Sequence, residues 1–272
     1  LYNMYIDNPA YPDDLFLTSE QALNLAGDNA MVVVVDTNRP KMVECEELLY
    51  LAKTVVVLDH HRQSSDSIDN ALLSYIEPYA SSACEMVSEI LQYIVDDIQI
   101  PNLEASSMYA GIMIDTNSFM NRTGVRTFEA AAFLRRCGAD ITLVRKMFRD
   151  DMEGYRAKAA IISSAEVYQK KFAIATGVNL HVESPTIIGA QAANELLDIS
   201  EIKASFVLTE YNGRIYVSAR SIDEVNVQVI MEKLGGGGHM NASGAQFNHT
   251  DMEEAVACLK QVLDDMIKEG DI

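Results

Sequence analysis

The sequence predicts an α/β protein in which a parallel sheet covered by helices is followed by a smaller mixed α/β domain. Two apolar runs, Met31–Asp36 and Thr54–Asp59, each end in an aspartate. Strands that are apolar on both faces are typical of parallel sheets buried between helices. In the later part of the chain, Asn212-Gly213 separates two alternating apolar runs, which is the pattern of a type I′ hairpin.

Helical patterns join and follow the two apolar runs. Val43–Ala52 reads as a short helix between the predicted strands, so that strand, helix and strand alternate. Three longer helices are then predicted at Ala80–Val95, Leu103–Thr116 and Thr127–Cys137. We therefore expect a first domain over residues 1–150 and a connector helix over residues 151–169.

The remaining residues, 170–272, have a mixed pattern that predicts a second domain. Strands and helices of this domain are predicted at Lys171–Thr176, Ile187–Leu197, Ala204–Tyr211, Arg214–Ala219, Val225–Leu234 and Asp251–Lys268. The last of these is an amphipathic helix with apolar residues on one face.

The charge balance excludes some classes of partner. The 272 residues include 21 Lys and Arg but 40 Asp and Glu, which gives a net charge of −19. A protein that binds long nucleic acid needs a basic stripe to meet the phosphates, so we expect no long nucleic acid as partner. A small phosphorylated substrate is compatible with this negative charge, because bound divalent cations supply positive charge locally. The four cysteines are far apart in sequence, which is typical of reduced thiols rather than a disulfide scaffold.

A cluster of acids and histidines is the sharpest chemical signal. Asp36 ends the first predicted strand and Asp59-His60-His61 ends the second, and the carboxyl ends of parallel strands form the usual ligand site. Asp115 interrupts an apolar helical run, where a buried carboxylate needs a cation or a donor. Carboxylate and imidazole ligands suit manganese. Adjacent histidines in a loop are also common as solvated polar groups, and that alternative stays open.

A glycine run marks the second domain. Gly235–Gly238 is followed by His239, and bare backbone of this kind can approach a ligand closely or cradle an anion. Arg220 ends a predicted strand in the same domain and could pair with a phosphate. A flexible hinge and an ordinary surface arginine are the alternatives.

These motifs resemble the DHH/DHHA1 phosphoesterases. The segments MVVVVDTNRP, VVVLDHHR, GIMIDTNSF and GGGGHMNASGAQ occur in the order and spacing of that family. Within it, EPYASSACEMVSEIL and SARSIDEVNVQVIMEKLGGGGH look most like the membrane-anchored cyclic-di-AMP phosphodiesterases of Firmicutes. The resemblance covers the chain from about Tyr11 onward and implies a cleft between a DHH domain and a smaller DHHA1 domain.

The resemblance also implies roles for individual residues. A site for two Mn²⁺ ions is expected, with Asp36 as the bridging ligand and His60 and Asp115 as further ligands. Asp59 and His61 are expected to be catalytic, with His61 beside the metals or facing the phosphate. The residues expected to hold the nucleotide are Arg220, Gly236, Gly237, Gly238 and His239.

The implied reaction is the hydrolysis of cyclic di-AMP to 5′-pApA. A short-oligonucleotide exonuclease of the nanoRNase type and a catalytically silent cyclic-dinucleotide-binding module are the alternatives. The family's His-x-Asp-x-Asp signature does not precede Asp36 in this sequence, where the first histidine is His60, so we expect these 272 residues by themselves to turn over poorly. The resemblance further implies a cytoplasm-facing chain without membrane contact, a parent protein anchored by upstream helices, and compatibility with a homodimer.

Overall fold

The computed structural model describes residues 1–27, 29–63, 65–94, 97–149 and 151–272. The chain divides into two compact units, Leu1–Arg149 and Asp150–Ile272. In the first unit the helices are α1 (Tyr2–Ile6), α2 (Ser19–Leu25), α3 (Glu47–Leu51), α4 (Ala83–Ile94), α5 (Asn102–Asp115), α6 (Val125–Arg136) and α7 (Ile141–Met147), with a short 3-10 turn at Pro40–Met42. The strands of this unit are β1 (Met31–Val35), β2 (Thr54–Asp59) and β3 (Leu73–Ile76).

The strands of the first unit form a parallel sheet of order β1–β2–β3 within the described residues. This confirms the predicted parallel sheet, although β3 was not predicted from the sequence. The expectation that both apolar runs are buried on both faces is wrong for β1, where Met31, Val33 and Val35 are exposed. The reason is position, since β1 lies at the sheet edge and α4 packs against the central strand β2.

Helices α4, α5 and α6 pack on one another beside the sheet. Their shared core includes Ile112 and Leu134, both fully buried. Ser82 caps α4 by accepting a hydrogen bond from the Glu85 backbone N–H at 3.0 Å, as short polar side chains do at helix starts. The predicted end of this helix at Val95 lies outside the described residues.

The second unit contains a mixed sheet with helices on both faces. Its helices are α8 (Met152–Ser163), α9 (Pro185–Leu196), α10 (Val227–Lys233) and α11 (Met252–Glu269), and its strands are β4 (Glu166–Tyr168), β5 (Phe172–Gly177), β6 (Ala204–Tyr211), β7 (Arg214–Ser221), β8 (Gly237–His239) and β9 (Ala242–Asn248). The described strands are ordered β4–β5–β6–β7–β9–β8. Helices α10 and α11 cover a core with Phe206 and Leu208, while α9 covers the opposite face at Val207.

The hairpin between β6 and β7 forms as the sequence predicts. Asn212 and Gly213 have φ angles of 51° and 70°, as the two central residues of a type I′ turn require. The strands on either side are paired along their whole length, from Tyr211 opposite Arg214 to Ala204 opposite Ser221.

The segment predicted as a connector helix is a shorter element. Helix α8 ends at Ser163, packs against α9 and β5, and is followed by strand β4. Since these contacts lie in the second unit, residues 151–169 are part of that unit's fold. Asp150 lies outside the described residues. None of the described helices has the length and apolarity needed to cross a lipid bilayer.

Candidate metal centre

His60 is the centre of a cluster built from three elements of the first unit. Its Nε2 atom lies 3.2 Å from Oδ1 of Asp36 and 3.9 Å from Oδ2 of Asp115. Asp36 follows β1, His60 follows β2 and Asp115 ends α5. The structure therefore brings together all three residues that the sequence predicts as metal ligands.

The orientation of His60 is fixed by a hydrogen bond to the backbone. Its Nδ1 atom lies 3.3 Å from the carbonyl oxygen of Ala80. Because a carbonyl only accepts, this contact places a hydrogen on Nδ1, and a metal ion at Nε2 would use the lone pair of that second nitrogen. Metal-binding histidines usually have such a partner on the second nitrogen. The His60 ring is otherwise buried, with 6% of its side chain exposed.

Asp36 reaches the cluster through an unusual backbone conformation. Its φ angle is +65°, in the left-handed region that Asp tolerates better than most residues. Its N–H still donates to the carbonyl of Leu58 at 3.0 Å, so the residue continues the strand pairing before the chain turns away. The Asp36 side chain is 59% exposed and can reach a ligand beyond the sheet edge.

Asp115 sits in a less polar environment than Asp36. Burial raises the pKa of the Asp115 carboxyl, His60 acts in the opposite direction and the nearby Asp36 raises it further. A second carboxylate and partial desolvation both disfavour the charged form. A divalent cation between the two carboxylates would remove this penalty.

His61 is held by a buried carboxylate. Its Nδ1 lies 2.7 Å from Oδ1 of Asp59, which also accepts a hydrogen bond from the His61 backbone N–H at 3.1 Å. Asp59 is fully buried, and Asn38 donates from Nδ2 to its other oxygen at 2.6 Å. With Nδ1 engaged, the half-exposed His61 ring presents Nε2.

The donor set fits a borderline divalent cation. Asp36 and His60 offer ligand atoms within 4.8 Å of each other, and the Asp115 carboxylate lies 3.9 Å from Nε2 of His60. A ring nitrogen of His61 lies within the same 4.8 Å, beside the position that an ion would occupy. Carboxylate oxygens combined with neutral imidazole nitrogens are ligands that manganese accepts. The residues present can therefore hold such an ion.

In the second unit, Arg220 and His239 lie in one row across the sheet. Arg220 on β7 is opposite Ala242 on β9, which is opposite His239 on β8. Directly opposed residues project to the same face, so both side chains flank the same patch. The neighbouring row is Ser218, Gly244 and Gly237, which leaves bare backbone in the middle of the patch.

Arg220 is a partly buried cation. Its Nη1 donates to the carbonyl of the adjacent Ala219 at 2.9 Å. Burial lowers the pKa of its guanidinium, and a guanidinium nevertheless stays protonated in proteins. No carboxylate of the described residues pairs with it at ion-pair distance, which leaves its charge available to an anion.

At three of the four positions of the run, the backbone conformation or the packing requires glycine. Gly235 has φ +78° in the turn after α10, where its N–H donates to the carbonyl of Glu232. A Cβ on Gly236 would lie 2.1 Å from the carbonyl oxygen of Gly244. Gly238 has φ +145° and packs against Ser243 in the same close pairing. Only Gly237 among them has an ordinary φ and open space where a Cβ would be. A ligand that approaches the bare backbone of this segment would therefore find the most space at Gly237.

Sequence reasoning missed three contributors to the first site. Asn38 holds Asp59, the Ala80 carbonyl holds His60, and Arg126 contacts the segment that carries Ala80. Asn38 follows Asp36 by two residues, which was the available signal. A backbone carbonyl has no sequence signal. The guanidinium of Arg126 is engaged by Glu89.

Two family models match the chain in the order of its two units. The DHH family, N-terminal domain, matches residues 2–112, and the DHHA1 domain matches residues 171–269. The chain is 44% identical over 252 residues to a cyclic-di-AMP phosphodiesterase of Geobacillus thermodenitrificans, covering 92% of this chain and 38% of that protein. It is 40% identical over 257 residues to a cyclic-di-AMP phosphodiesterase of Bacillus subtilis, covering 94% and 39%. The chain thus spans about two-fifths of the length of these relatives.

A shorter relative and a solved structure match over larger shares. The bifunctional oligoribonuclease and PAP phosphatase of Mycoplasma genitalium is 30% identical over 242 residues, which cover 86% of this chain and 74% of that protein. An exopolyphosphatase-related protein from Bacteroides fragilis has the same fold, with a TM-score of 0.74 and 23% identity over 87% of this chain and 71% of that one. The two matched domains in sequence, the cluster around His60 and the similarity to these proteins show that the chain belongs to the DHH/DHHA1 family.

Proposed function

We propose that this chain is the catalytic part of a manganese-dependent phosphodiesterase that hydrolyses cyclic di-AMP to 5′-pApA. The observation that carries the proposal is the convergence of Asp36, His60 and Asp115 at 3.2 and 3.9 Å, in a chain 40–44% identical to proteins named as cyclic-di-AMP phosphodiesterases. A bound cation supplies an activated water and neutralises charge on the phosphoryl oxygens.

In this proposal the residues of the first unit have separate tasks. Asp36, His60 and Asp115 hold the cation, and two Mn²⁺ ions per site are our expectation from the family. His61 donates from Nε2 to a phosphoryl oxygen when its ring is protonated. Asp59 stabilises that protonated ring through Nδ1 and fixes its direction, and since it is fully buried it acts as a positioning residue.

The residues of the second unit bind the nucleotide. Arg220 pairs with a phosphate through charge-assisted hydrogen bonds, His239 flanks the same patch of the sheet, and the backbone at Gly237 gives the ligand room to approach. Gly236 and Gly238 support this patch by allowing β8 to pair closely with β9. The homodimer and the membrane anchoring of the parent protein stay predictions.

The first test is hydrolysis by a protein that contains this chain. The rates of hydrolysis of cyclic di-AMP, pApA and a pentaribonucleotide are measured, each once in the presence of Mn²⁺ and once in excess chelator. We expect cyclic di-AMP to be cleaved to pApA and activity to be lost in chelator. Preferred cleavage of the pentaribonucleotide would favour an oligoribonuclease, which the Mycoplasma relative at 30% identity supports. Tight binding without turnover of any substrate would favour a silent binding module.

A second test separates nucleotide binding from metal binding. Arg220→Ala should weaken cyclic di-AMP binding by about one to two decades, because a hydrogen bond to a charged group is worth roughly 1.5–3 kcal/mol. Bound manganese should be unchanged. Arg214→Ala is the matched control, since Arg214 lies on the same strand and is exposed at its other end. Calorimetry measures both constants, and loss of manganese in Arg220→Ala would contradict the assignment.

A further inference from the structure

We propose that Arg126 and Glu85 are positioning residues for His60, acting through the backbone carbonyl of Ala80. The proposal rests on the metal-binding role of His60 given above. It adds to that role a set of residues that contact neither cation nor substrate. These residues fix which nitrogen of His60 faces the metal and where that nitrogen points.

The link begins at the carbonyl that His60 uses. Ala80 is buried, with 3% exposed, and its carbonyl oxygen lies 3.3 Å from Nδ1 of His60. As long as this oxygen stays in place, Nδ1 carries the hydrogen and Nε2 faces Asp36 and Asp115. A shift of the Ala80 peptide would free the ring to rotate or to exchange tautomers.

The peptide after Ala80 is held by Glu85. The Ser81 hydroxyl donates to Oε2 of Glu85 at 2.5 Å, and the Ser81 backbone N–H donates to the same oxygen at 3.3 Å. Glu85 is almost fully buried, with 1% exposed. A buried carboxylate is tolerated when donors and a cation compensate it, and the nearest cation is Arg126, whose Nε lies 3.9 Å from Oε1.

The peptide before Ala80 is held at Glu77. The Ala80 N–H donates to the Glu77 carbonyl at 3.0 Å, closing a turn, and the Glu77 N–H donates to the carbonyl of Asp59 at 2.9 Å. The Glu77 carboxylate lies 3.7 Å from Nη1 of Arg126. The turn is therefore tied both to the end of β2 and to Arg126.

Arg126 connects both sides of this turn to helix α6. It makes two hydrogen bonds of 2.7 Å to the carboxylate of Glu89, and these bonds raise the pKa of its guanidinium. Its three acidic partners, Glu77, Glu85 and Glu89, all lie on the segment that carries Ala80. Without the guanidinium these carboxylates would repel one another, and the buried one would lose its cation.

The experiment compares Arg126→Ala with Arg136→Ala. Arg136 is exposed in the last turn of the same helix, so its removal makes the same change in charge away from the turn. Heteronuclear NMR of the His60 ring nitrogens, in protein loaded with diamagnetic Zn²⁺ so that the carboxylates beside Nε2 are neutralised, reports which ring nitrogen carries the hydrogen. Electron paramagnetic resonance of free Mn²⁺ reports metal affinity.

We expect Arg126→Ala to mix the two His60 tautomers and to weaken Mn²⁺ binding about 10- to 100-fold, the usual effect of losing a partner behind a metal ligand. Arg136→Ala should change neither. Arg126→Lys keeps a charge without the two-bond geometry and should be intermediate. It also provides a readout if the alanine variant does not fold.

Two outcomes would overturn the proposal. One is an unchanged His60 tautomer and unchanged Mn²⁺ affinity in the folded Arg126 variants, even with a lowered melting temperature, since Arg126 would then be only structural. The other is an equal effect of Arg136→Ala. Neither readout depends on turnover. Absence of phosphodiesterase activity would therefore refute the proposed function, while the His60 tautomer would still test this inference.

Discussion

At the scale of single residues, the first unit holds its two histidines by different means. His60 is oriented by a backbone carbonyl and His61 by the carboxylate of Asp59. Both contacts use Nδ1, so both rings present Nε2. The difference lies in what each Nε2 faces. Nε2 of His60 faces the carboxylates of Asp36 and Asp115, where a cation would bind, whereas the ring of His61 is half-exposed and is placed to contact a substrate.

Cys84 shows how the same carboxylates affect a neighbouring group. Burial raises the pKa of its thiol to about 11, and the charges of Asp115 and Asp36 add to the shift. Because the thiolate is the reactive form, we expect Cys84 to resist iodoacetamide from neutral pH up to about pH 9, while the exposed Cys258 is labelled first. Peptide mass spectrometry over time measures this order.

The control for this prediction is denatured protein, in which all four cysteines should react alike. Labelling of Cys84 as fast as Cys258 in the folded protein at neutral pH would show that its surroundings are open to water.

At the scale of elements, the glycine segment combines two functions. Gly235 forms the turn after α10, whereas Gly236 and Gly238 allow β8 to lie against β9. Strand β8 was not predictable, since glycine is depleted in strands and gives no apolar alternation. The sequence predicts ligand contact at this segment because glycine leaves the backbone bare. Among these glycines, Gly237 combines an ordinary φ with open space where a Cβ would be.

Alanine substitutions separate the two functions. Gly237→Ala should leave thermal stability nearly unchanged, because the added Cβ meets no atom within 4 Å, but it should weaken nucleotide binding. Gly236→Ala should lower the free energy of unfolding by about 1–3 kcal/mol, since its Cβ would collide with the β9 backbone. Denaturant unfolding and calorimetry measure the two effects. Unchanged nucleotide affinity in Gly237→Ala would place the ligand elsewhere.

The sequence was sufficient for some elements and insufficient for others. The valine-rich runs that end at Asp36 and Asp59 predicted parallel strands with ligands at their carboxyl ends, because β-branched apolar runs have few other stable uses. Strand β3 was missed because it is only four residues long and mostly exposed, so that its run is too short to show a strand period. The contact between Ala80 and His60 joins residues 20 positions apart through a backbone atom, so it depends on tertiary packing alone.

At the scale of the whole molecule, charge is the dominant property. The net charge of −19 repels anionic ligands at long range, within the limits set by salt screening. A phosphorylated substrate would therefore depend on local positive charge, from a cation at His60 and from Arg220. In the chain without metal, the negative charges of Asp36 and Asp115 lie near each other and are not fully neutralised.

Metal binding should accordingly stabilise the protein. A ligand that binds only the folded state at a hundred times its Kd adds about 2.7 kcal/mol, which corresponds to roughly 5–10 °C in melting temperature for a unit of this size. We expect Mn²⁺ to raise the melting temperature of the purified chain and expect no rise in His60→Ala. An equal rise in that variant would assign the stabilising ion to another site.

The three proposed ligand residues come from separate parts of the chain, one after β1, one after β2 and one at the end of α5. An ion bound to all three would cross-link the paired strands β1 and β2 to the end of α5. Amide hydrogen exchange would then slow together at residues 31–36, 54–60 and 110–115, with one common opening free energy. In this sense the ion would act as part of the fold, because it would join the local opening of the sheet and that of α5 into a single cooperative one.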